Sequence, residues 1–335
     1  MITLNYRQVS FPLAQVFRIA RGAKSEAEVI EVELTSQGRK GRAESVPYKR
    51  YQEDMGSVTK QLDDIKTKLA KGVSIEELLA SLAPGAAKNA VDCAYWDLKA
   101  KLCDTSVEDL LSLAPTLPCI TAQTLSIDSQ ENMANAALAL KHPPLIKVKL
   151  DGDDIIGKMR AIHKAAPYSE FIVDANEGWS MEQLTTHAFE LAKLNVVLIE
   201  QPLPVGEDEA LIDVDLPVAL CADESCHTRQ DLPYLKGRYD TINIKLDKTG
   251  GLTEALLLKE EALALGFDIM VGCMVGSSLA MAPAFLLSNG AKFVDLDGPL
   301  LVAKDRPFGF NFSNGIMHSL NTDLWGGSSE QYYLA

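Results

Sequence analysis

The chain has 335 residues, 47% hydrophobic and 23% charged, an ordinary globular composition with enough apolar material for one large domain or two smaller ones. A net charge of -14 would repel a nucleic-acid duplex or an anionic membrane, so neither is expected as a partner. No apolar run reaches membrane-spanning length, the opening MITLNYRQVSFPLAQVFRIARG lacks a signal-peptide pattern, and six cysteines without a Cys-x-x-Cys pair read as reduced thiols; a cytoplasmic enzyme or binding protein is expected.

In chain order, residues 2–9 and 28–35 read as strands, and 55–71 and 74–82 as helices. AAKNAVDCAYWDLKAK (86–101) is an amphipathic helix. Strands then helices, without alternation, suggest a small α+β domain over residues 1–115. The segment 305–335 is expected to complete it. RIARGAKSEAE (18–28) is expected to form a loop between the two strands. LAPTLPC (113–119), with two prolines in seven residues, marks the boundary to a second domain over 116–304.

Short apolar runs then recur: CITAQTL (119–125), LIKVKL (145–150), FIVDAN (171–176), VVLIEQP (196–202), PVALCADES (217–225), TINIKLD (241–247), DIMVGCM (268–274) and KFVDLDGP (292–299). Markers Thr121, Lys147, Asp174, Glu200, Asp223, Lys245, Gly272 and Asp295 step by 22 to 27 residues. That is about the length of a strand, a helix and two loops. Helical patterns such as GLTEALLLKEEALALG (251–266) lie between the runs. Eight parallel strands at steady spacing argue for an α/β, TIM-like closed barrel. No G-x-G-x-x-G follows the first strand, which speaks against a dinucleotide fold.

The polar residues fall late in each run, where barrel active sites lie. In LIKVKL, Ile146, Val148 and Leu150 share one face, and Lys147 and Lys149 the other. Asn243, Lys245 and Asp247 likewise oppose Ile242, Ile244 and Leu246. The apolar set packs under helices, so the lysines face inward. Three consecutive strands end in Asp174, Glu200 and Asp223. Gathered without a counter-charge, such acids repel one another and lose hydration. All-oxygen ligation without His or Cys points to one hard cation, Mg²⁺, with Mn²⁺ as an alternative.

A metal on a substrate carboxylate stabilises the enediolate formed when the adjacent C–H loses its proton. Lysine serves as the base only if its pKa is depressed; neighbouring Lys147 and the metal would both lower Lys149. Lys149 on the second strand and Lys245 on the sixth would face opposite sides of a planar intermediate. Such a pair favours inversion of a stereocentre, with elimination still open.

Together KVKLD, FIVDANEGW, LIEQPLP, CADES and NIKLDKTGG resemble the enolase superfamily in its muconate lactonising enzyme-like branch. The likeness covers nearly the whole chain, including the AVDCAYWDL helix. It implies a (β/α)₇β barrel with an α+β capping domain, one Mg²⁺, and proton abstraction alpha to a carboxylate. It implies Lys149 and Lys245 as the acid/base pair, Asp174, Glu200 and Asp223 as metal ligands, and Lys147 beside the substrate carboxylate.

Substrate must be read elsewhere. Asp295 and Asp297 share parity and should face the barrel mouth. Two carboxylates there suit an ammonium one residue away from the reacting carbon, as in a dipeptide. This Asp-x-Asp resembles that of dipeptide epimerases, and IARG, SEA and CADESCHTR resemble the Ala-Glu epimerases among them. That implies a role in recycling peptidoglycan peptides. In the family, the 18–28 loop closes over the barrel mouth beside a second near ESVPYKRYQED (44–54), so Arg21 and Lys24 are candidates for the glutamate side chain. Thr124 is a further substrate-binding candidate. An N-acylamino acid racemase, an o-succinylbenzoate synthase or a non-catalytic metal-dependent binding barrel are the alternatives. A homo-oligomer is left open.

Overall fold

The computed structural model describes residues 2–212 and 214–327. Residues 328–335 of the segment expected to complete the first domain lie outside the described residues. The N-terminal part is an antiparallel sheet of Thr3–Ile19, Gly22–Ser36 and Arg39–Ser45, in that order. The first two strands run well beyond 2–9 and 28–35, and the expected loop at 18–28 is instead the end of a hairpin, with Ile19 paired to Gly22. Residues 10–19 are all half-buried or exposed, so no core-facing alternation announced them. The hairpin is held by its own ladder and by the barrel. Ala303 N–H donates to Pro12 O at 2.8 Å, and Ile127 N–H to Arg18 O at 3.1 Å.

Helices Met55–Ala70 and Ala86–Cys103 pack on this sheet. Asp54 and Ser57 close a capping box that satisfies free N–H groups at the start of the first. The second lays Ala90, Ala94 and Leu98 against the sheet. A Cβ at Gly41 would fall 2.2 Å from Ala94 O and 2.3 Å from Leu98 N, so only glycine permits this approach.

Eight parallel strands follow in sequence order: Gln123–Leu125, Leu145–Lys149, Glu170–Asp174, Val196–Glu200, Ala219–Ala222, Thr241–Ile244, Asp268–Val271 and Phe293–Val294. The first and last meet: Ala122 N–H donates to Val294 O at 2.8 Å, and Leu296 N–H to Thr121 Oγ1 at 3.0 Å. The fold is thus a TIM-like barrel with a capping domain. The run 119–125 is not one strand. Cys119–Ile120 pairs antiparallel with Ile316–Met317, and the chain pairs with the second barrel strand only from Gln123. An apolar run cannot show that its two halves have different partners.

Ile146, Val148, Phe171 and Val173 join the large core beneath the helices, whereas Ala122, Leu145, Ile172, Leu198, Cys221, Met270 and Phe293 form a separate cluster inside the barrel. Beyond the eighth strand the chain returns to the N-terminal sheet and helices. Arg306 bridges Glu31 at 2.5 Å and Glu44 at 2.7 Å. Trp325 Nε1 donates to Cys93 O at 3.1 Å. Among the described residues, no helix is long and apolar enough to cross a membrane.

Candidate active site

Side chains two residues apart on a strand share a face. One step of two from the interior cluster leads to Thr124, Lys147, Asp174, Glu200, Asp223, Gly272 and Asp295. Apolar filling therefore gives way to a layer of charge at the strands' C-terminal ends. Lys149, Asp174 and Glu200 lie in register across three neighbouring strands. Asp223 and Lys245 each follow directly on their strands.

The acids and lysines interlock. Lys147 Nζ lies 2.6 Å from Glu200 Oε2, 2.8 Å from Asp295 Oδ2 and 3.1 Å from Asp174 Oδ2. Lys149 Nζ donates to Asp174 Oδ2 at 2.5 Å, and Lys245 Nζ to Asp223 Oδ2 at 2.6 Å. All seven of these side chains are buried. Burial alone would raise Asp174 and Asp223. The ammoniums of Lys149 and Lys147 hold Asp174 below the usual carboxylate range, and those of Lys245 and Lys248 hold Asp223 far below it. Burial and nearby Asp174 push Glu200 up to about 7 against the pull of Lys147. Burial would lower Lys245, but Asp223 and Glu200 raise it well above the ordinary lysine value.

Among the described residues, no three His, Cys, Asp or Glu side chains converge as metal ligands do, because the acids are turned to lysines. The donor set nevertheless fits a hard dication. Three buried carboxylates stand side by side, and Glu200 Oε2, though close to Lys147, receives no aligned N–H.

Above this layer is a cavity of about 1040 Å³, lined by Lys149, Lys245, Asp295, Asp297 and Lys24 among others. Asp295 is ion-paired to Lys147, so the two strand-eight acids are not equivalent. Among the described residues, Asp297 has no ammonium of its own; its Oδ2 accepts from Thr124 N–H at 2.6 Å. Burial, then the charge of Asp295, push Asp297 up to about 7. Thr124 lines the cavity, with its main-chain N–H committed to Asp297.

The two loop cations diverge. Arg21 Nη2 donates to Glu224 Oε1 at 2.6 Å, and Nη1 to Asn176 O at 2.8 Å. Lys24 lies with its Nζ 5.3 Å from the centre of the Tyr48 ring, and burial lowers its pKa.

Sequence reasoning missed several residues of the site. Lys248, three positions after Lys245, is fully buried against Asp223. Asn243 Nδ2 donates to Glu200 Oε1 at 2.8 Å; its parity with Lys245 was the available signal. Gln201 Oε1 accepts from the N–H groups of Asp223 and Ser225 at 2.9 and 3.1 Å. Tyr51 comes from the capping domain, where no periodicity ties it to the barrel.

Residues 1–112 match the mandelate racemase / muconate lactonizing enzyme N-terminal domain, and residues 131–311 the enolase C-terminal domain-like family. The chain belongs to the enolase superfamily. An N-acetyl-D-glutamate racemase from Pseudoalteromonas is 55% identical over 88% of this chain and 94% of its own. The L-Ala-D/L-Glu epimerase of Escherichia coli (strain K12) is 47% identical over 95% of this chain and 100% of its own. An enolase family member from Agrobacterium tumefaciens, solved with sodium and L-Ala-L-Glu, superposes with a TM-score of 0.94 at 43% identity, covering 97% of this chain and 100% of that one. A dipeptide epimerase from Enterococcus faecalis, solved with Mg and L-Leu-L-Tyr, superposes at 0.87 and 26% identity, covering 95% and 97%. The named enzymes among these relatives are a racemase and epimerases, and this member of the superfamily is an isomerase.

Proposed function

We propose that this isomerase is a magnesium-dependent dipeptide epimerase that interconverts L-Ala-L-Glu and L-Ala-D-Glu. Asp174, Glu200 and Asp223 would hold the ion, as the all-oxygen donor set suits and as the magnesium in the Enterococcus faecalis relative supports. Bound there, magnesium supplies Lewis-acid stabilisation of charge on the substrate carboxylate. With the acids so neutralised, Lys149 and Lys245 would be released from their ion pairs with Asp174 and Asp223. One removes the glutamate α-proton from its face, and the other returns a proton to the opposite face. Lys147, ion-paired to Asp174, Glu200 and Asp295, balances the remaining negative charge.

The observation that carries the substrate assignment is Asp297. It is a buried carboxylate facing the cavity without an ammonium partner among the described residues, and burying it in that state is unfavourable unless a cation arrives. The free amine of a dipeptide is such a cation. Lys24 is the better partner for the glutamate side chain, because Arg21 already serves Glu224. A place in recycling peptidoglycan peptides in a bacterial cytoplasm goes with this substrate.

The Pseudoalteromonas relative supports a second reading, racemisation of N-acetyl-glutamate by the same lysines. The two separate in D₂O with magnesium. Deuterium at the glutamate α-carbon of L-Ala-L-Glu, with appearance of L-Ala-D-Glu, is the expected result. Exchange confined to N-acetyl-glutamate would assign the enzyme to the second reading, and Lys24→Ala should raise KM for either glutamyl substrate.

A further inference from the structure

Arg21 and Arg50 come from separate parts of the capping domain, the hairpin tip and the short helix Lys49–Tyr51. Both reach the same carboxylate. Arg50 closes a two-bond fork on Glu177, Nε to Oε2 and Nη2 to Oε1, each at 2.7 Å. Arg21 Nη1 adds a bond to Glu177 Oε2 at 3.1 Å, and Val205 N–H one to Oε1 at 3.0 Å. Forked, charge-assisted bonds of this kind are strong and directional. The Glu177 side chain is only 10% exposed.

Its backbone is held as firmly. Asn176 and Glu177 have φ of 45° and 68°, the left-handed region that non-glycine residues rarely occupy. Glu177 N–H donates to Gln201 O at 2.9 Å, and Asn176 N–H to Asp174 Oδ1 at 2.9 Å. The turn that presents Glu177 is thus built directly onto Asp174 and Gln201.

We propose that Glu177 is a positioning residue, the catch through which the barrel fixes the hairpin tip and the 49–51 helix together over the cavity. It does not line the cavity itself. It determines where Lys24 and Tyr51, which do line it, are held: Lys24 lies three residues from Arg21, and Tyr51 follows Arg50. The two arms depend on it unequally. Arg21 keeps Glu224 when Glu177 is lost, whereas Arg50 makes no second ion pair among the described residues. The inference holds for either glutamyl substrate.

Hydrogen exchange on the full chain without substrate tests it, together with turnover of whichever glutamyl substrate the enzyme accepts. In Glu177→Ala, exchange should quicken about tenfold or more at 48–52 and less at 17–24, because a charge-assisted pair is lost at each. Helix Ala86–Cys103 should keep its protection. KM should rise about tenfold with kcat within about threefold, since the chemistry is untouched and only the cover is loosened. Glu177→Gln, which retains acceptors for Val205 and Arg50, should recover part of both effects. Should Glu177→Ala not fold, Arg50→Gln, at a side chain 38% exposed, must quicken 48–52 and raise KM in the same way. Unchanged exchange at 48–52, faster exchange spread over Ala86–Cys103, or loss of kcat at constant KM would each overturn the proposal. The exchange measurement needs no substrate, so its failure is distinct from failure of the substrate assignment.

Discussion

Lys248 Nζ donates to Asp223 Oδ1 at 2.7 Å and to the main-chain oxygen of the same residue at 2.5 Å, with a third bond to Asn243 O at 2.9 Å. A fully buried ammonium thus uses all its N–H bonds, two of them on one acid of the site. Lys248→Met keeps the volume and removes the charge. It should lower stability without metal by about 3 kcal/mol, since Asp223 keeps only Lys245 and two buried main-chain oxygens lose their donor. Magnesium should restore more stability to this variant than to the parent. An unchanged urea midpoint would remove Lys248 from the account of the site.

Chelation should separate activity from stability. Asp174, Glu200 and Asp223 each already have an ammonium within 2.5 to 2.6 Å, so the metal-free protein carries no uncompensated cluster of these three. Excess EDTA should abolish turnover yet shift the thermal midpoint by less than about 5 °C, equivalent to at most a few kcal/mol in a chain of this size. Calorimetry with and without magnesium reads both; collapse of the fold on chelation would contradict the neutralising role of the lysines.

Asp297→Asn tests the substrate. It keeps the acceptor for Thr124 N–H and removes the charge. Turnover of L-Ala-L-Glu should fall about a hundredfold in kcat/KM, in line with the loss of a buried charge partner. Turnover of N-acetyl-glutamate, which has no ammonium, should change by less than about threefold. Equal losses on both would show that Asp297 does not read the amine.

Lys149→Ala and Lys245→Ala should each stop inversion, with losses of about a thousandfold, the scale of a missing acid or base. Each should still exchange the α-proton of one stereoisomer, and the two variants should prefer opposite ones. NMR in D₂O distinguishes them. Exchange of the same stereoisomer by both variants would rule out bases on opposite faces.

Asp247 offers a pH test away from the metal ligands. It is buried, accepts from Val46 N–H at 3.0 Å and Asn89 Nδ2 at 2.8 Å, and burial raises its pKa to about 7. The folded state keeps a proton that the unfolded chain loses above about pH 4. Stability therefore falls as pH rises between about 4 and 7, at up to roughly 1.4 kcal/mol per unit from this group. Asp247→Asn cannot ionise and keeps the acceptor oxygen. Its stability relative to the parent should be clearly higher at pH 8 than at pH 5, read from urea midpoints; the same difference at both pH values would refute this.

Much of the barrel was legible because its signal is local and repeated. Period-two alternation placed Lys147, Lys149 and Lys245 on the inner face, and steady spacing put Asp174, Glu200 and Asp223 on consecutive strands. The hairpin was not legible beyond residue 9. Its outer half touches the barrel through main-chain bonds at Pro12 and Arg18, and such bonds leave no trace in side-chain pattern. For the same reason the run 119–125 concealed a change of partner at Thr121.

The sequence by itself determined that acids and lysines gather at one end of a barrel, since covalent spacing and strand pleat dictate which residues share a face. Only the tertiary structure decided which of them touch. Asp295 pairs with Lys147 while Asp297 accepts only from Thr124 and has no ion pair among the described residues, and Arg21 binds Glu224 and Glu177 while Lys24 does not. Those choices are made by distances between chain segments far apart in sequence, where electrostatic strength depends on separation and burial, and no local pattern carries that information.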